Sequence, residues 1–298
     1  MQDTTIKVID TETKTIVKSL GIKGNGPEDI LSPVFLYNRY ITPENDLTLT
    51  DPNIRKIIKI SLHDLTIKKE DMPTYLHNKS SINFFNNTIV AYPIIPDNYM
   101  FSIISLDEKQ SEHRVTFPFN VNEDNKNLIS AMPTYFATNI NANIEKQRII
   151  ISMYYFDAYY VYDFDGNLIS EFNLSDCEFD INTCIKKYFN LDKKGNIRYT
   201  RGYCTDKYCY LRRLEEIPDT DMGRYITTAT KIIKTDWNGK PLAILNVPDG
   251  FKAFCIDENE DILAIVNSQR NEQNEYFDII RFKQPETAFF VESTHNSH

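Results

Sequence analysis

Short apolar runs separated by polar turns fill this chain, and no long stretch repeats apolar residues at the spacing of an amphipathic helix. Some runs are apolar on both faces: RIIISMYY (148–155) and DILAIVNS (261–268) predict strands buried on both sides. Others alternate, as in NLISEFNL (167–174), where Leu168, Phe172 and Leu174 share a face and Ser170 is the polar exception. The mixture predicts inner and outer strands of several small sheets.

One hairpin pattern recurs. The copies are VIDTETKTIVKSL (8–20), KISLHDLTIKKE (59–70), IISLDEKQSEHRV (103–115), VYDFDGNLISEF (161–172), KTDWNGKPLAIL (234–245) and IIRFKQPETAFF (279–290). DFDG and DWNG are the strongest turn signals, because Asp, Asn and Gly tolerate the positive φ of a tight hairpin. The anchors Asp10, Ser61, Ser105, Asp163, Asp236 and Arg281 lie 51, 44, 58, 73 and 45 residues apart. A period in the forties, with insertions, predicts a six-bladed β-propeller of four-stranded antiparallel blades. The expectation is a single all-β domain over 1–298: an outer hairpin of an incomplete first blade (1–25), then blades at 26–70, 71–118, 119–174, 175–247 and 248–292. The first hairpin has too few residues before it for two inner strands, which leads us to expect missing upstream sequence or an incomplete blade.

GIKGNGPEDILSP (21–33) falls between the first hairpin and the next predicted strand, so it reads as a blade-to-blade corner. A phosphate loop needs a helix after it and a different glycine spacing. The corner resembles the first-blade signature of the TolB-like six-bladed β-propeller proteins of Bacteroidetes, in which Gly24, Gly26 and Pro27 match and Glu28 or Asp29 supplies the acid. The resemblance implies the propeller fold and a cell-envelope location, and little chemistry. Members usually carry an export or lipoprotein signal and a full first blade; this sequence shows neither, so a cytoplasmic location stays open and a lipid anchor requires an upstream signal.

Charge narrows the partners. With 33 basic against 42 acidic residues the net charge is -9, which argues against a nucleic-acid partner. No apolar run is long enough for a transmembrane helix. The five cysteines are odd in number and lack CxxC spacing, which argues against a zinc site or a full disulfide framework. Cys177 and Cys184 carry no pairing signal, whereas Cys204 and Cys209 flank TDKY and could meet across a hairpin; partly buried thiols are the expected state.

Antiparallel connectivity places the corner on the same face as Asp51, Tyr154, Tyr155, Arg201 and Asn267. Together with Glu28 these are the candidate ligand-binding residues. The wide 73-residue interval predicts an insertion near Gly202–Ile226, either a recognition loop or a covering flap. Residues 186–213 hold nine Lys or Arg against two Asp, either an anion site or a solvated face. MYYFDAYYVYDF (153–164) offers rings either for stacking on a ligand or for packing between blades. The expected function is a non-catalytic propeller that binds a peptide, protein or glycan without a cofactor. The alternative is a Ca²⁺-dependent lactonase or esterase, with Glu28, Asp51, Asn190 and Asn267 as oxygen ligands. No Ser-His-Asp or Cys-His arrangement is apparent: His295 and His298 end the chain, and His63 and His113 sit in hairpins on the opposite face.

Overall fold

A computed structural model describes residues 4–13, 15–24, 29–31, 34–35, 46–85, 87–94, 99–107, 111–119, 137–153, 157–174, 196–219, 221, 224–248, 250–271 and 274–283. Among them the regular structure is all β apart from one 3-10 turn, Thr74–Leu76. Strands β1 (Thr4–Asp10) and β2 (Thr15–Ile22) form a two-stranded ribbon. Four antiparallel meanders of four strands follow. The first holds β3 (Val34–Phe35), β4 (Asp46–Asp51), β5 (Lys56–Ser61) and β6 (Ile67–Asp71). The second holds β7 (Lys79–Phe85), β8 (Thr88–Pro93), β9 (Phe101–Ser105) and β10 (Glu112–Val115). The third holds β11 (Ala137–Asn143), β12 (Arg148–Met153), β13 (Ala158–Tyr162) and β14 (Leu168–Asn173). The fourth holds β15 (Asn196–Cys204), β16 (Cys209–Asp219), β17 (Arg224–Thr235) and β18 (Pro241–Asn246). Last come the three strands β19 (Phe251–Ile256), β20 (Ile262–Asn271) and β21 (Asn274–Phe282). The chain packs into two compact units, residues 1–147 with 163–167, and residues 148–162 with 168–298.

Among the described residues the blade count is five, not the six expected from the hairpin repeat. The first copy of the repeat stays a ribbon of two strands because no inner strands join it among the described residues. It buries Ile6 and Leu20 against Ile30 of the following corner and Leu49, Ile58 and Ile60 of the first four-stranded sheet, while Ile16 and Val17 remain 59% exposed.

A second departure is local. Ser170 pairs with Val161 and Leu168 with Tyr162, so one extra residue sits in β14. That bulge switches the alternation and turns Leu168 outward at 44% exposure, although Phe172 and Leu174 pack on the core as expected. The doubly apolar strand at 148–153 is buried from Ile149 to Met153, whereas β20 alternates, with Ile262, Ala264 and Val266 inward.

Two of the recurring turns, DFDG and DWNG, dock on strands earlier in the chain. In the DFDG turn Asp163 accepts amides from Asp165 and Asn167, and in the DWNG turn Asp236 accepts those of Asn238 and Lys240. Gly166 (φ 84°) and Gly239 (φ 86°) complete the two turns in the left-handed region. Both also lack room for a side chain: a Cβ on Gly166 would lie 2.8 Å from Val115 of β10, and one on Gly239 2.6 Å from Phe172 of β14. Tyr159 donates its hydroxyl to the Gly239 carbonyl at 2.7 Å and Ser170 donates to that of Asn238 at 2.9 Å. Earlier in the chain, Lys18 of β2 reaches the Asp64 carbonyl in the β5–β6 turn.

Candidate functional site

The β16–β17 connection is the longest departure from the blade plan. These strands run 11 and 12 residues, against six in β12 and five in β13. β15 stops pairing at Asn196 opposite Glu216, and β18 stops at Asn246 opposite Lys231. Beyond those points no further strand flanks the hairpin among the described residues, and it continues through the pairs Glu216–Thr227, Ile217–Ile226, Pro218–Tyr225 and Asp219–Arg224. This is where the sequence predicted an insertion, and it takes the form of an ordered hairpin. β20 and β21 form a second long pair, continuing to Asn271 opposite Asn274.

The base of the projecting hairpin is held by ions. Arg213 of β16 donates two hydrogen bonds to Asp157, ahead of β13, from Nε to Oδ1 at 2.8 Å and from Nη2 to Oδ2 at 2.7 Å. Its Nη1 donates to Glu215 Oε1 at 2.7 Å, which also accepts from Lys231 Nζ at 2.5 Å. Both members of the Arg213–Asp157 pair are buried. Burial works against the Arg213 charge, but the bonds and charge of Asp157 outweigh it and hold the guanidinium above its ordinary value. The Lys231 bond is the main cause that holds the Glu215 carboxyl below the usual range. Burial foremost, with the Asp157 charge added, pushes the Tyr199 hydroxyl far up. Such a two-pronged planar contact fixes orientation as well as distance. Above it Ile217 and Ile226, cross-strand partners, stand 46% and 39% exposed.

The basic stretch does not gather. Arg213 turns toward the preceding sheet, whereas Arg212 turns the other way and donates to the Phe251 and Lys252 carbonyls. Lys207 is exposed beside Glu260. Lys186, Lys187, Lys193 and Lys194 lie outside the described residues, and Arg201 is placed in β15 without a described side chain. The tyrosine-rich stretch divides similarly. Tyr159, Tyr160 and Tyr162 are core, and Tyr159 stacks on Phe172 at 5.2 Å, so their rings pack between strands. Tyr154 and Tyr155 lie outside the described residues.

In the first unit the glycine-rich corner is braced by acids. Asp51, fully buried at the end of β4, accepts the Leu31 amide at 2.9 Å, and Lys69 Nζ donates to the Asp29 carbonyl. A side chain on Gly24 would run into the Asp29 carboxylate. Asp51 therefore serves the corner's geometry through its carboxylate, and Asp29 through its main-chain carbonyl. Gly26, Pro27, Glu28 and Asn190 lie outside the described residues, and Asn267 has a described place in β20 opposite Phe277 but no described side chain. Among the described residues no three His, Cys, Asp or Glu side chains gather as a metal cluster.

Cys204 and Cys209 are joined by a disulfide, contrary to the expectation of separate thiols. They are direct cross-strand partners at the end of β15–β16, which brings their Cα atoms to 4.3 Å. Trp237 braces the same turn, its Nε1 donating to the Thr205 and Asp206 carbonyls. Cys177 and Cys184 lie outside the described residues.

No family model and no curated protein matches the sequence. Solved structures do. A member of the DUF4221 family from Bacteroides vulgatus superposes with a TM-score of 0.57 at 14% identity, covering 92% of this chain and 85% of that one. A candidate exported protein from Bacteroides fragilis gives 0.51 at 11% identity, over 88% and 73%. The β-propeller domain of Swd1 from Myceliophthora gives 0.39 at 9% identity, over 88% and 86%. At these identities the likeness to the two Bacteroides structures concerns the fold alone. The fold is a β-propeller type built of successive antiparallel blades. No helix is long and apolar enough to cross a membrane among the described residues.

Proposed function

We propose that this chain is a non-catalytic binding propeller of the TolB-like kind, which presents the end of its β16–β17 hairpin to a peptide, protein or glycan. One observation carries the reading. The hairpin leaves its sheet as an ordered, partly apolar projection, while its base is fixed by a buried, two-pronged ion pair. Loops and projections on a rigid scaffold are where binding residues concentrate. The location that fits best is the cell envelope, supported by the Cys204–Cys209 disulfide, a bond that persists in oxidising compartments, and by likeness to a candidate exported protein.

The test is to immobilise the purified protein and screen peptide and glycan arrays, with a variant in which residues 217–226 are replaced by an Asn-Gly turn. Binding that disappears in the shortened variant, and weakens on Arg201→Ala or Tyr154→Ala, supports the reading. Absence of binding on both arrays, or binding indifferent to all three changes, removes it.

A further inference from the structure

We infer that the ligand of this hairpin is an extended peptide segment, taken up as an added antiparallel strand along the outer edge of β17 at residues 225–229. The inference rests on the binding reading above and gives the partner its chemistry.

The argument begins with an open backbone edge. β18 pairs with β17 only as far as Lys231, and the Val247 amide adds one bond, to Thr230 O, at 3.3 Å. From Ala229 to Arg224 no strand pairs with that edge among the described residues, while the other edge continues to pair with β16. Pro218 sits opposite Tyr225, and because proline has no N–H that pair cannot exchange two hydrogen bonds. The backbone groups of Tyr225, and of Thr227 two residues on, therefore face outward. A row of outward amides and carbonyls is a template for another strand.

Other outer strands are protected against such pairing. β6 carries Lys68, Lys69, Glu70 and Asp71, β10 carries Glu112 and Arg114, β14 carries Glu171, and β18 begins with Pro241. Charges and proline are the usual devices that keep foreign strands off an edge. Residues 225–229, Tyr-Ile-Thr-Thr-Ala, carry no charge or proline; a bulge makes Thr228 an extra residue and leaves Tyr225 to Thr227 as the regular part of the edge, and Ile226, Thr227 and Thr228 are exposed. Ile226 and its partner Ile217 supply an apolar strip on one face of the edge, which selects apolar residues at alternate positions of the incoming strand. Exposed Asp221 at the tip favours a basic residue beyond the strip, whereas Asp219 already lies opposite Arg224. A second copy of this chain fits less well, since each copy carries a net charge of -9.

The probe is an acetylated octapeptide of alternating valine and threonine with a lysine at each end. It is titrated calorimetrically into the full chain, alongside the same peptide N-methylated on the amides of one strand edge or of the other. Methylation of the pairing edge is expected to weaken binding roughly tenfold or more, the loss of one or more backbone hydrogen bonds, and methylation of the opposite edge to leave it. Thr227→Pro, which removes an outward N–H, should weaken binding to the same extent, and Thr227→Val, which keeps it, should not. The peptide arms need no folded variant, so they decide the matter even if Thr227→Pro unfolds. Failure to bind, or equal binding of all three peptides, overturns strand addition. The binding function itself then stands or falls on the shortened hairpin and the arrays. A concentration-dependent dimer in sedimentation, lost in Thr227→Pro, would overturn the foreign peptide in favour of a second copy.

Discussion

Replacing Arg213 with Met should destabilise the second unit more than replacing Asp157 with Ala, although both changes break one ion pair. The asymmetry follows from what each leaves behind. Without Asp157, Arg213 keeps a 2.7 Å bond to Glu215. Without Arg213, the buried Asp157 carboxylate loses both of its charged hydrogen bonds and keeps a neutral neighbour in the Tyr199 hydroxyl. Removing one partner of a buried pair costs about 3–5 kcal/mol, mostly for the stranded charge. Arg213→Met belongs at the top of that range. Asp157→Ala should come to about 2–3 kcal/mol, since a remaining charged hydrogen bond is worth about 1.5–3 kcal/mol. The double variant Asp157→Leu with Arg213→Met strands neither charge and should cost less than Arg213→Met alone. Urea unfolding followed by tryptophan fluorescence gives the three values. Trp237 is the sole tryptophan and packs in the same core cluster as Leu211 and Tyr199. Equal costs for the two single variants, or a double variant that costs their sum, would refute the stranded-charge argument.

Tyr159 and Tyr199 are held neutral well above the usual tyrosine value, by burial first and by the Asp157 charge second. A raised folded value means their contribution is complete below the unfolded pKa of about 10 and is lost as pH rises beyond it, so melting temperature should fall from about pH 10 upward. Tyr159→Phe should flatten that fall while lowering stability at neutral pH by about 1 kcal/mol, through loss of its bond to Gly239. Reducing Cys204–Cys209, which closes a sequence separation of 5, should cost about 2 kcal/mol and shift Trp237 emission, because that indole bonds the carbonyls inside the loop. Hydrogen exchange should be faster in β1–β2 than in β12, β13 or β16, since the ribbon has two strands and buries only Ile6 and Leu20 among its described side chains. Added Ca²⁺ should leave the melting temperature unchanged; a rise with stoichiometric uptake would favour the calcium-dependent hydrolase instead.

The hairpins were legible because their determinants are local. Asp163 and Asp236 cap their own turns, and Gly166 and Gly239 mark the left-handed positions, all within four residues. Counting blades failed because a hairpin motif reports two strands and carries no information about whether two inner neighbours pair with it. A bulge in β14 reversed Leu168 because parity along a strand is lost at one extra residue. The disulfide was under-read because an odd count of cysteines outweighed the cross-strand position of two of them. The insertion's place was visible from the wide interval between anchors. Its anchor was not, since Arg213 and Asp157 lie 56 residues apart and no spacing rule connects them.

The docking of the DFDG and DWNG turns on earlier strands has a consequence for biogenesis. Gly166 reaches back to β10, and Gly239 reaches back to β14, each docking on strands already made. As a ribosome delivers the chain from its N-terminus, these two hairpins find their receiving strands already made, so their folding can follow synthesis. A bulky residue at Gly239 would spare the upstream sheets and stall the addition of those that follow. The resulting fragments should be N-terminal and end near a sheet boundary, a pattern that limited proteolysis of nascent chains would reveal.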